Sequence, residues 1–119
     1  MEIRTIIAAG MLAFAATATA QTETKNRTTM EKLNLTQEWD KTFPQSDKVE
    51  HTKVTFTNRY GITLAADMYM PKNSEGRLPA IAVSGPFGAV KEQASGLYAQ
   101  TLAERGLLAI AFDPSFTGE

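Results

Sequence analysis

The chain has 119 residues, a formal net charge of −1 and no cysteine. Such a length fits one small domain or part of a larger one. The lack of cysteine excludes a disulfide framework, a thiolate zinc site and a cysteine nucleophile. His51 is the single histidine, which excludes a site built from several histidines, and no cluster of Lys or Arg forms the basic patch that nucleic acid requires.

Residues 1–20 have the pattern of a secretory signal peptide. A weakly positive start that includes Arg4 precedes an uncharged, largely apolar run over residues 5–16, and the small residues Ala18 and Ala20 fit a signal-peptidase site. The apolar run is short for a permanent membrane span. We therefore expect cleavage after Ala20, no membrane anchor, and a periplasmic or secreted mature protein.

Residues 21–34 are predominantly polar, which predicts a tether. After it, large apolar side chains recur every four residues at Leu35, Trp39 and Phe43, and Pro44 follows. This spacing predicts one short amphipathic helix that packs its two aromatic side chains onto the rest of the protein.

From Val54 the apolar period changes to two. Val54 and Phe56 face one way, and after a turn at residues 58–61 the apolar residues at alternate positions of 62–70 share one face. The pattern predicts an antiparallel hairpin with one buried and one solvated face, which Pro71 ends.

His51 lies at the start of this hairpin, on the face opposite to Val54. Asp67 and Tyr69 occupy the corresponding alternate positions of the second strand, so the same pattern assigns them to the solvated face. A histidine on a solvated strand face has no partner for catalysis, and we predict no catalytic role for it.

Residues 80–112 follow a strand–loop–helix–strand pattern. Two short apolar runs, 80–84 and 107–112, flank a helical stretch from about Lys91 to Arg105 that ends before Gly106. The stripe predicted to face the core consists of Ala94, Leu97, Tyr98 and Leu102. Apolar strands joined by a helix are typical of a parallel unit covered on both faces, and two such strands alone make an incomplete sheet.

The loop at residues 84–93 follows a buried strand and opens the helix, at the edge where α/β proteins place ligands. Its two glycines and Pro86 give a tight path whose backbone N–H groups could stabilise an oxyanion or cradle a phosphate. Neither the P-loop pattern nor the dinucleotide-binding pattern is present. A simple tight turn is the remaining alternative.

Taken in order, these segments resemble the opening of bacterial α/β-hydrolases. The resemblance is carried by the hairpin, by Ser84-Gly85-Pro86-Phe87-Gly88 with Val90-Lys91-Glu92-Gln93, by residues 98–106 and by residues 111–119. It is strongest to the dienelactone-hydrolase-like and acyl-peptidase-like group and covers about residues 39–119. It implies that residues 35–119 are the N-terminal part of an α/β-hydrolase domain, in which an antiparallel hairpin leads into a β-loop-α-β unit.

The resemblance also implies which catalytic groups these residues supply. The family's nucleophile is a serine in G-x-S-x-G, with its acid and histidine later in the chain, and none of the five serines here lies in that pentapeptide. One oxyanion donor carries over from the loop. Because Pro86 has no N–H, the donor is expected to be the backbone of Phe87, with Gly88 second. Asp113 is expected to hold its own loop by accepting hydrogen bonds from backbone N–H groups.

Two hypotheses for function follow. In the first, the chain is a fragment of an exported serine hydrolase that cleaves a small-molecule ester or related acyl bond. It then needs no cofactor or metal and is inactive alone, since the nucleophile, acid and histidine are absent. In the second, the chain is a complete, exported, non-enzymatic module that binds a ligand or partner. The incomplete sheet also predicts that residues 21–119 self-associate when isolated.

Overall fold

The structure is a computed structural model that describes residues 32–119. The predicted signal peptide, and the predicted tether as far as residue 31, lie outside the described residues. Within residues 32–119 the chain forms four strands and one helix, namely β1 (Val49–Thr57), β2 (Thr63–Pro71), β3 (Ala80–Ser84), α1 (Ala94–Glu104) and β4 (Leu108–Phe112). The strands form one sheet in the order β1-β2-β4-β3. In this range no helix combines the length and hydropathy needed to cross a bilayer.

The predicted hairpin is confirmed. β1 pairs antiparallel with β2, from Val49 opposite Pro71 to Thr57 opposite Thr63. Asn58 builds the turn, since its side-chain carbonyl accepts the N–H groups of Tyr60 and Ile62 at 2.9 and 3.0 Å. These bonds satisfy turn donors that have no partner in the ladder.

The predicted parallel unit is also confirmed. β3 pairs parallel with β4, from Ala80 beside Leu108, and α1 makes the connection between them. The N–H of Gly106 bonds the carbonyl of Ala103 at 3.0 Å and that of Leu107 bonds the carbonyl of Leu102 at 3.3 Å. Gly106 has a φ of 99°, the left-handed conformation that this helix ending requires.

One face of the sheet carries the core. It is covered by α1 and by residues 39–43, and its buried apolar cluster comprises Phe43, Val49, Tyr69, Ala99, Ala103, Ala109 and Ala111. The opposite face is apolar as well but less covered. There the rings of Phe56 and Phe112 meet edge to face at 6.2 Å, and Phe56 remains 40% exposed.

The prediction that His51, Asp67 and Tyr69 lie on a solvated face is wrong. Asp67 and Tyr69 are completely buried, and His51 stands beside them on the covered face. β2 is a central strand between β1 and β4, so both of its edges are paired, and its face with Asp67 and Tyr69 is the one that α1 and residues 39–43 cover. An alternating pattern with apolar residues on both faces does not reveal which face the helix covers.

The helix predicted from Leu35, Trp39 and Phe43 is wrong, because residues 32–48 form no regular helix or strand. The predicted packing is nevertheless present. The indole N–H of Trp39 donates to the carbonyl of Phe43 at 2.8 Å, and the two rings meet edge to face at 5.6 Å. The N–H of Thr42 bonds the carbonyl of Glu92 at 3.0 Å, so backbone groups find partners outside the segment rather than in a helix.

The predicted buried stripe of α1 is wrong at three of its four positions, since Ala94, Leu97 and Tyr98 are all exposed. Leu97 and Tyr98 are 46% and 59% exposed, whereas the buried positions include Gly96, Ala99 and Ala103. These small residues let the helix lie close to the sheet. A Cβ at Gly96 would come within 3.1 Å of both the Phe43 ring and the Tyr69 hydroxyl. The small size of the residues, rather than their hydrophobicity, therefore determines which face of the helix is buried.

Candidate functional site

The loop that follows β3 is built around a tight turn. The N–H of Ala89 bonds the carbonyl of Pro86 at 3.0 Å, and Gly88 has a φ of 83°. A positive φ at the third of four residues defines a turn in which glycine is strongly preferred. Phe87 occupies the second position of this turn, and its side chain is fully exposed to solvent.

The turn leaves two consecutive backbone donors free of the protein. Within residues 32–119, neither the N–H of Phe87 nor that of Gly88 donates a hydrogen bond, and Pro86 has no N–H. The loop begins at the carboxyl end of β3, beside the carboxyl end of the parallel strand β4. The arrangement can bind an oxyanion or another small anion; Phe87 as the oxyanion donor, with Gly88 second, stays a prediction.

The start of the loop packs against the first turn of α1. A Cβ at Gly85 would lie 3.5 Å from the hydroxyl oxygen of Ser95 and 3.4 Å from the Cβ of Ala89. Ser95 is buried, and its hydroxyl has no hydrogen-bond partner in the described part of the chain. Ser95 therefore packs against the start of the loop. Within residues 32–119 no base bonds to its hydroxyl, so nothing there activates it as a nucleophile.

Asp113 organises the loop that follows β4. Its carboxylate accepts the backbone N–H of Lys91 at 2.8 Å and that of Glu119 at 3.3 Å, and its own N–H donates to the carbonyl of Ala65 at 3.1 Å. The predicted bonds from backbone N–H groups are thus present. Gly118 has a φ of 68°, and a Cβ there would overlap the Asp113 carboxylate, so this loop accepts only glycine at that position.

A network of ion pairs, which no local sequence pattern predicts, extends along the covered face of the sheet. Its acidic members are Asp40, Asp67, Glu92, Asp113 and Glu119, and its basic members are Lys41, Lys53 and Lys91. The carboxylates of Asp40, Glu92 and Glu119 lie within 4.8 Å of one another. Each of the three is bonded to at least one lysine ammonium, which makes the cluster an ion-pair network rather than an array of open metal ligands.

The network shifts the protonation of its members. Burial acts to raise the pKa of Asp40, but hydrogen bonds from Lys41 and Lys53 outweigh it and lower the pKa. Burial likewise opposes ionisation of Glu119, yet hydrogen bonds from Lys53, Lys91 and a backbone N–H lower its pKa to about 2. Burial, followed by the charge of nearby Asp67, raises the pKa of the Tyr69 phenol, which therefore stays neutral.

His51 belongs to this interior network. Its Nε2 lies 2.7 Å from Asp67 Oδ1, and its ring packs between those of Trp39 and Tyr69 at centroid distances of 5.3 and 5.1 Å. The ammonium of Lys41 shares the same Asp67 oxygen at 3.1 Å. No serine bonds to His51 in the described segment, so the pair lacks the nucleophile of a triad.

A separate cleft of about 400 Å³ opens on the β1 side of the protein. Its walls come from two stretches, residues 35–39 and residues 51–53, together with Gln45. Phe87 and Gly88 do not line it. The cleft and the candidate oxyanion loop are therefore different features of the surface.

Comparison with known proteins gives close relatives without an assigned function. No protein-family model matches the chain. The uncharacterized protein PA2218 of Pseudomonas aeruginosa is 70% identical over 101 residues, which cover 84% of this chain and 27% of that protein. The uncharacterized protein YcjY of Escherichia coli is 48% identical over 73 residues, covering 58% of this chain and 24% of that protein. The chain therefore spans about a quarter of the length of these relatives.

Solved structures also resemble this one, and two of them are informative. The crystal structure of the hypothetical protein PA2218 matches with a TM-score of 0.73 and 76% identity, over 75% of this chain and 28% of that chain. Brefeldin A esterase, a bacterial homologue of human hormone-sensitive lipase, matches with a TM-score of 0.50 and 18% identity, over 86% of this chain and 28% of that chain. The second match is a distant likeness of fold to an α/β-hydrolase.

Proposed function

We propose that residues 32–119 form the oxyanion-binding side of a serine hydrolase that cleaves an ester or related acyl bond. The observation that carries the proposal is the pair of unbonded N–H groups at Phe87 and Gly88, at the carboxyl end of a parallel strand. The distant likeness of fold to brefeldin A esterase supports the same reaction class. The nucleophile, acid and histidine of the triad would lie outside residues 1–119.

In the proposed reaction, a serine hydroxyl attacks the carbonyl carbon of a small-molecule acyl substrate while a histidine takes its proton. The carbonyl oxygen becomes an oxyanion, and the N–H of Phe87 donates to it together with an N–H next to the nucleophile. As this intermediate collapses, the histidine returns the proton to the leaving oxygen, which releases the alcohol and leaves an acyl-serine. Water, deprotonated by the same histidine, then hydrolyses the acyl-serine to the acid and the free serine. The role of Phe87 is thus to bind charge that exists only in the transition state and intermediate.

We further propose that the protein is exported and acts in the periplasm or outside the cell. The support is the sequence pattern of residues 1–20, with its cleavage site after Ala20. No metal or cofactor enters the proposed reaction, because histidine and the oxyanion donors supply all of the proton transfer and charge stabilisation.

The decisive experiment reads the gene beyond the codon for Glu119 and then assays the complete gene product. We expect a continued frame that encodes G-x-S-x-G, covalent labelling by a fluorophosphonate probe, and hydrolysis of p-nitrophenyl acetate. Replacement of the serine in that pentapeptide by alanine is the control and should abolish both signals. A frame that ends at Glu119, with a stable folded product, would overturn the proposal and favour the ligand-binding or partner-binding module.

Residues 21–119 alone should show no hydrolysis of p-nitrophenyl acetate above buffer. His51 is the only histidine and is bonded to Asp67, so these residues offer no serine with an adjacent base. The matched variant His51→Ala separates two outcomes. Turnover that disappears in this variant would show that the chain contains its own catalytic histidine, contrary to the proposal.

A further inference from the structure

A buried ion pair joins the loop after β3 to the loop after β4. The backbone N–H of Lys91 donates to one carboxylate oxygen of Asp113 at 2.8 Å, and the ammonium of the same lysine donates to the other oxygen at 2.9 Å. Lys91 is completely buried and Asp113 is 1% exposed. A single carboxylate thus holds both the main chain and the side chain of Lys91.

The ammonium of Lys91 also reaches the end of the second loop. It donates to Glu119 Oε2 at 2.8 Å and contacts the carboxylate of its neighbour Glu92. Burial disfavours the charged lysine, but hydrogen bonds to Glu119, Glu92 and Asp113 outweigh it and raise the pKa of Lys91. The lysine therefore remains a cation whose three donors are occupied.

The local bonds of the first loop do not connect it to the rest of the protein. Within the turn, the N–H of Ala89 donates to the carbonyl of Pro86. The next two bonds run from the N–H of Gln93 to the carbonyl of Val90 and from the N–H of Val90 to the side chain of Gln93, so they also stay within the loop. Within the described residues, the bonds that leave residues 85–93 are those of Lys91 to the second loop, those that Thr42 donates to the carbonyl of Glu92, and the first helical bond, from the N–H of Leu97 to the carbonyl of Gln93.

We infer that Lys91 is a positioning residue that fixes the backbone N–H groups of Phe87 and Gly88 at the distance and angle that an oxyanion requires. This inference rests on the proposed function. Lys91 lies three residues after Gly88 and is bonded to an element that does not move with the turn. Donors of an oxyanion hole must be held within about 0.5 Å of their productive position, and an anchor next to the turn supplies that restraint.

Lys53 provides a matched control. Its ammonium donates to the same Glu119 oxygen, at 2.7 Å, and to Asp40 at 2.8 Å, but it bonds to no residue of the loop at 85–93. Removing either lysine deletes one cation from the network. Only the removal of the Lys91 side chain also breaks the side-chain bonds between the loop at 85–93 and the second loop.

The experiment uses the complete gene product and the variants Lys91→Met, Lys91→Arg and Lys53→Met, each assayed well below its melting temperature. We expect Lys91→Met to lower kcat for p-nitrophenyl acetate by about 10- to 100-fold, with KM changed less than about threefold, because misplaced donors weaken transition-state binding. Lys91→Arg should recover most of kcat, and Lys53→Met should stay within about threefold of wild type. Hydrogen exchange at the bonded N–H groups of Ala89 and Lys91, which follow these donors in the loop, should become faster in Lys91→Met and remain unchanged in Lys53→Met.

Equal kcat losses in Lys91→Met and Lys53→Met would overturn the inference, as would unchanged exchange at Ala89 and Lys91 in Lys91→Met. If Lys91→Met does not fold, Lys91→Gln takes its place, since it keeps a donor without the charge. Fluorophosphonate labelling of wild type distinguishes the two proposals. A protein that neither labels nor hydrolyses overturns the proposed function, and faster exchange in the Lys91 variant would then still support the anchoring of the loop.

Discussion

Gly96 lies so close to the backbone carbonyl of Lys91 that a Cβ at this position would overlap the carbonyl oxygen. The same Cβ would stand 3.1 Å from the ring of Phe43 and 3.1 Å from the hydroxyl of Tyr69. One missing methyl group thus permits three contacts, of the helix with the preceding loop, with the N-terminal segment and with the sheet.

Replacing Gly96 by alanine should destabilise the protein, although alanine favours a helix. Overpacking in a filled core costs about 1–3 kcal/mol, and the carbonyl of Lys91 is backbone that cannot turn away. We expect the free energy of unfolding to fall by about 1–3 kcal/mol in urea denaturation of the complete gene product. Glu104→Ala, at an exposed position of the same helix, should change it by less than about 0.5 kcal/mol. Equal stability of the two variants would contradict the close packing.

Glu119 should make stability depend on pH in the acid range. Its pKa in the folded protein is about 2, against an ordinary value of 4.5, because hydrogen bonds from Lys53, Lys91 and the N–H of Thr36 outweigh its burial. Since the folded pKa is the lower one, the unfolded chain binds more protons between these values. The stabilisation is therefore present above about pH 4.5 and is lost as the pH falls towards 2.

The measurement for Glu119 is a series of urea melts from pH 7 to the acid limit. Glu119→Gln should be less stable than wild type at pH 7. Below pH 4.5 the free energy of unfolding should fall less steeply with pH in this variant than in wild type, and the difference in slope should correspond to at most about one bound proton per molecule. Glu104→Gln, which alters an exposed carboxylate on α1, is the control and should follow the wild-type curve. Parallel curves for Glu119→Gln and wild type would contradict the predicted linkage.

Phe87 should act through its backbone rather than its ring. The side chain is fully exposed, so Phe87→Leu should keep most activity in the complete gene product. Phe87→Pro removes the N–H and should lower kcat by about 10²–10³-fold, the effect of losing one oxyanion donor. The turn itself tolerates this change, because its hydrogen bond runs from Ala89 to Pro86 and proline is favoured at the second turn position.

Folding of both Phe87 variants is checked by circular dichroism and thermal melting. A well-folded Phe87→Pro protein with full activity would transfer the donor role to Gly88 or abolish the proposed oxyanion hole. The ratio of kcat between the proline and leucine variants separates these effects from any loss of the exposed ring.

Local patterns in the sequence were sufficient to predict the hairpin and the parallel unit. Each depends on a period of side chains within one stretch and on turn residues such as Gly61 and Gly106, whose positive φ values the structure contains. The covered face of the hairpin was not predictable in this way. Asp67 is buried because His51 and Lys41 bond its carboxylate, and Lys41 comes from a segment with no regular structure.

The candidate site was predictable only where one loop carries it. Gly85, Pro86 and Gly88 lie in one short stretch, and this composition predicts backbone N–H groups that have no partner within the protein. The role of Lys91 was not predicted, because the sequence pattern placed it at the start of the helix, where a lysine usually lies in solvent; in the structure α1 begins only at Ala94. Its partners Asp113 and Glu119 are more than twenty residues away, so only the parallel pairing of β3 and β4 brings them together.

The proposed export predicts that the N-terminus of the mature protein is Gln21. Small residues at Ala18 and Ala20 match the cleavage pattern, and the apolar run ends just before them. Mass spectrometry of protein purified from the periplasm or the medium tests this. Ala20→Pro, which blocks cleavage at this position, should retain the unprocessed form. Recovery of a soluble cytoplasmic species that begins with Met1 would contradict export.

The final prediction concerns residues 21–119 expressed alone, which should self-associate. Within the described sheet β3 pairs only with β4, so its other edge presents unpaired N–H and C=O groups, and Ile81 on this strand is 37% exposed. The face of the sheet that carries Phe56 adds further apolar surface. Exposing large side chains costs about 1.5–3 kcal/mol each, which is comparable to the whole stability of a small domain, so pairing of open edges between copies is favoured.

Gel filtration with light scattering should therefore show dimers or larger species for residues 21–119. Ile81→Lys places a charge on the open edge and should shift the population towards monomer, because a charged edge opposes strand pairing. Leu97→Lys changes an exposed position on α1 to the same residue and should leave the association unchanged. A monodisperse monomer with a sharp cooperative melt would contradict this prediction, because it would show that the sheet is stable with its β3 edge open, as the alternative of a complete binding module requires.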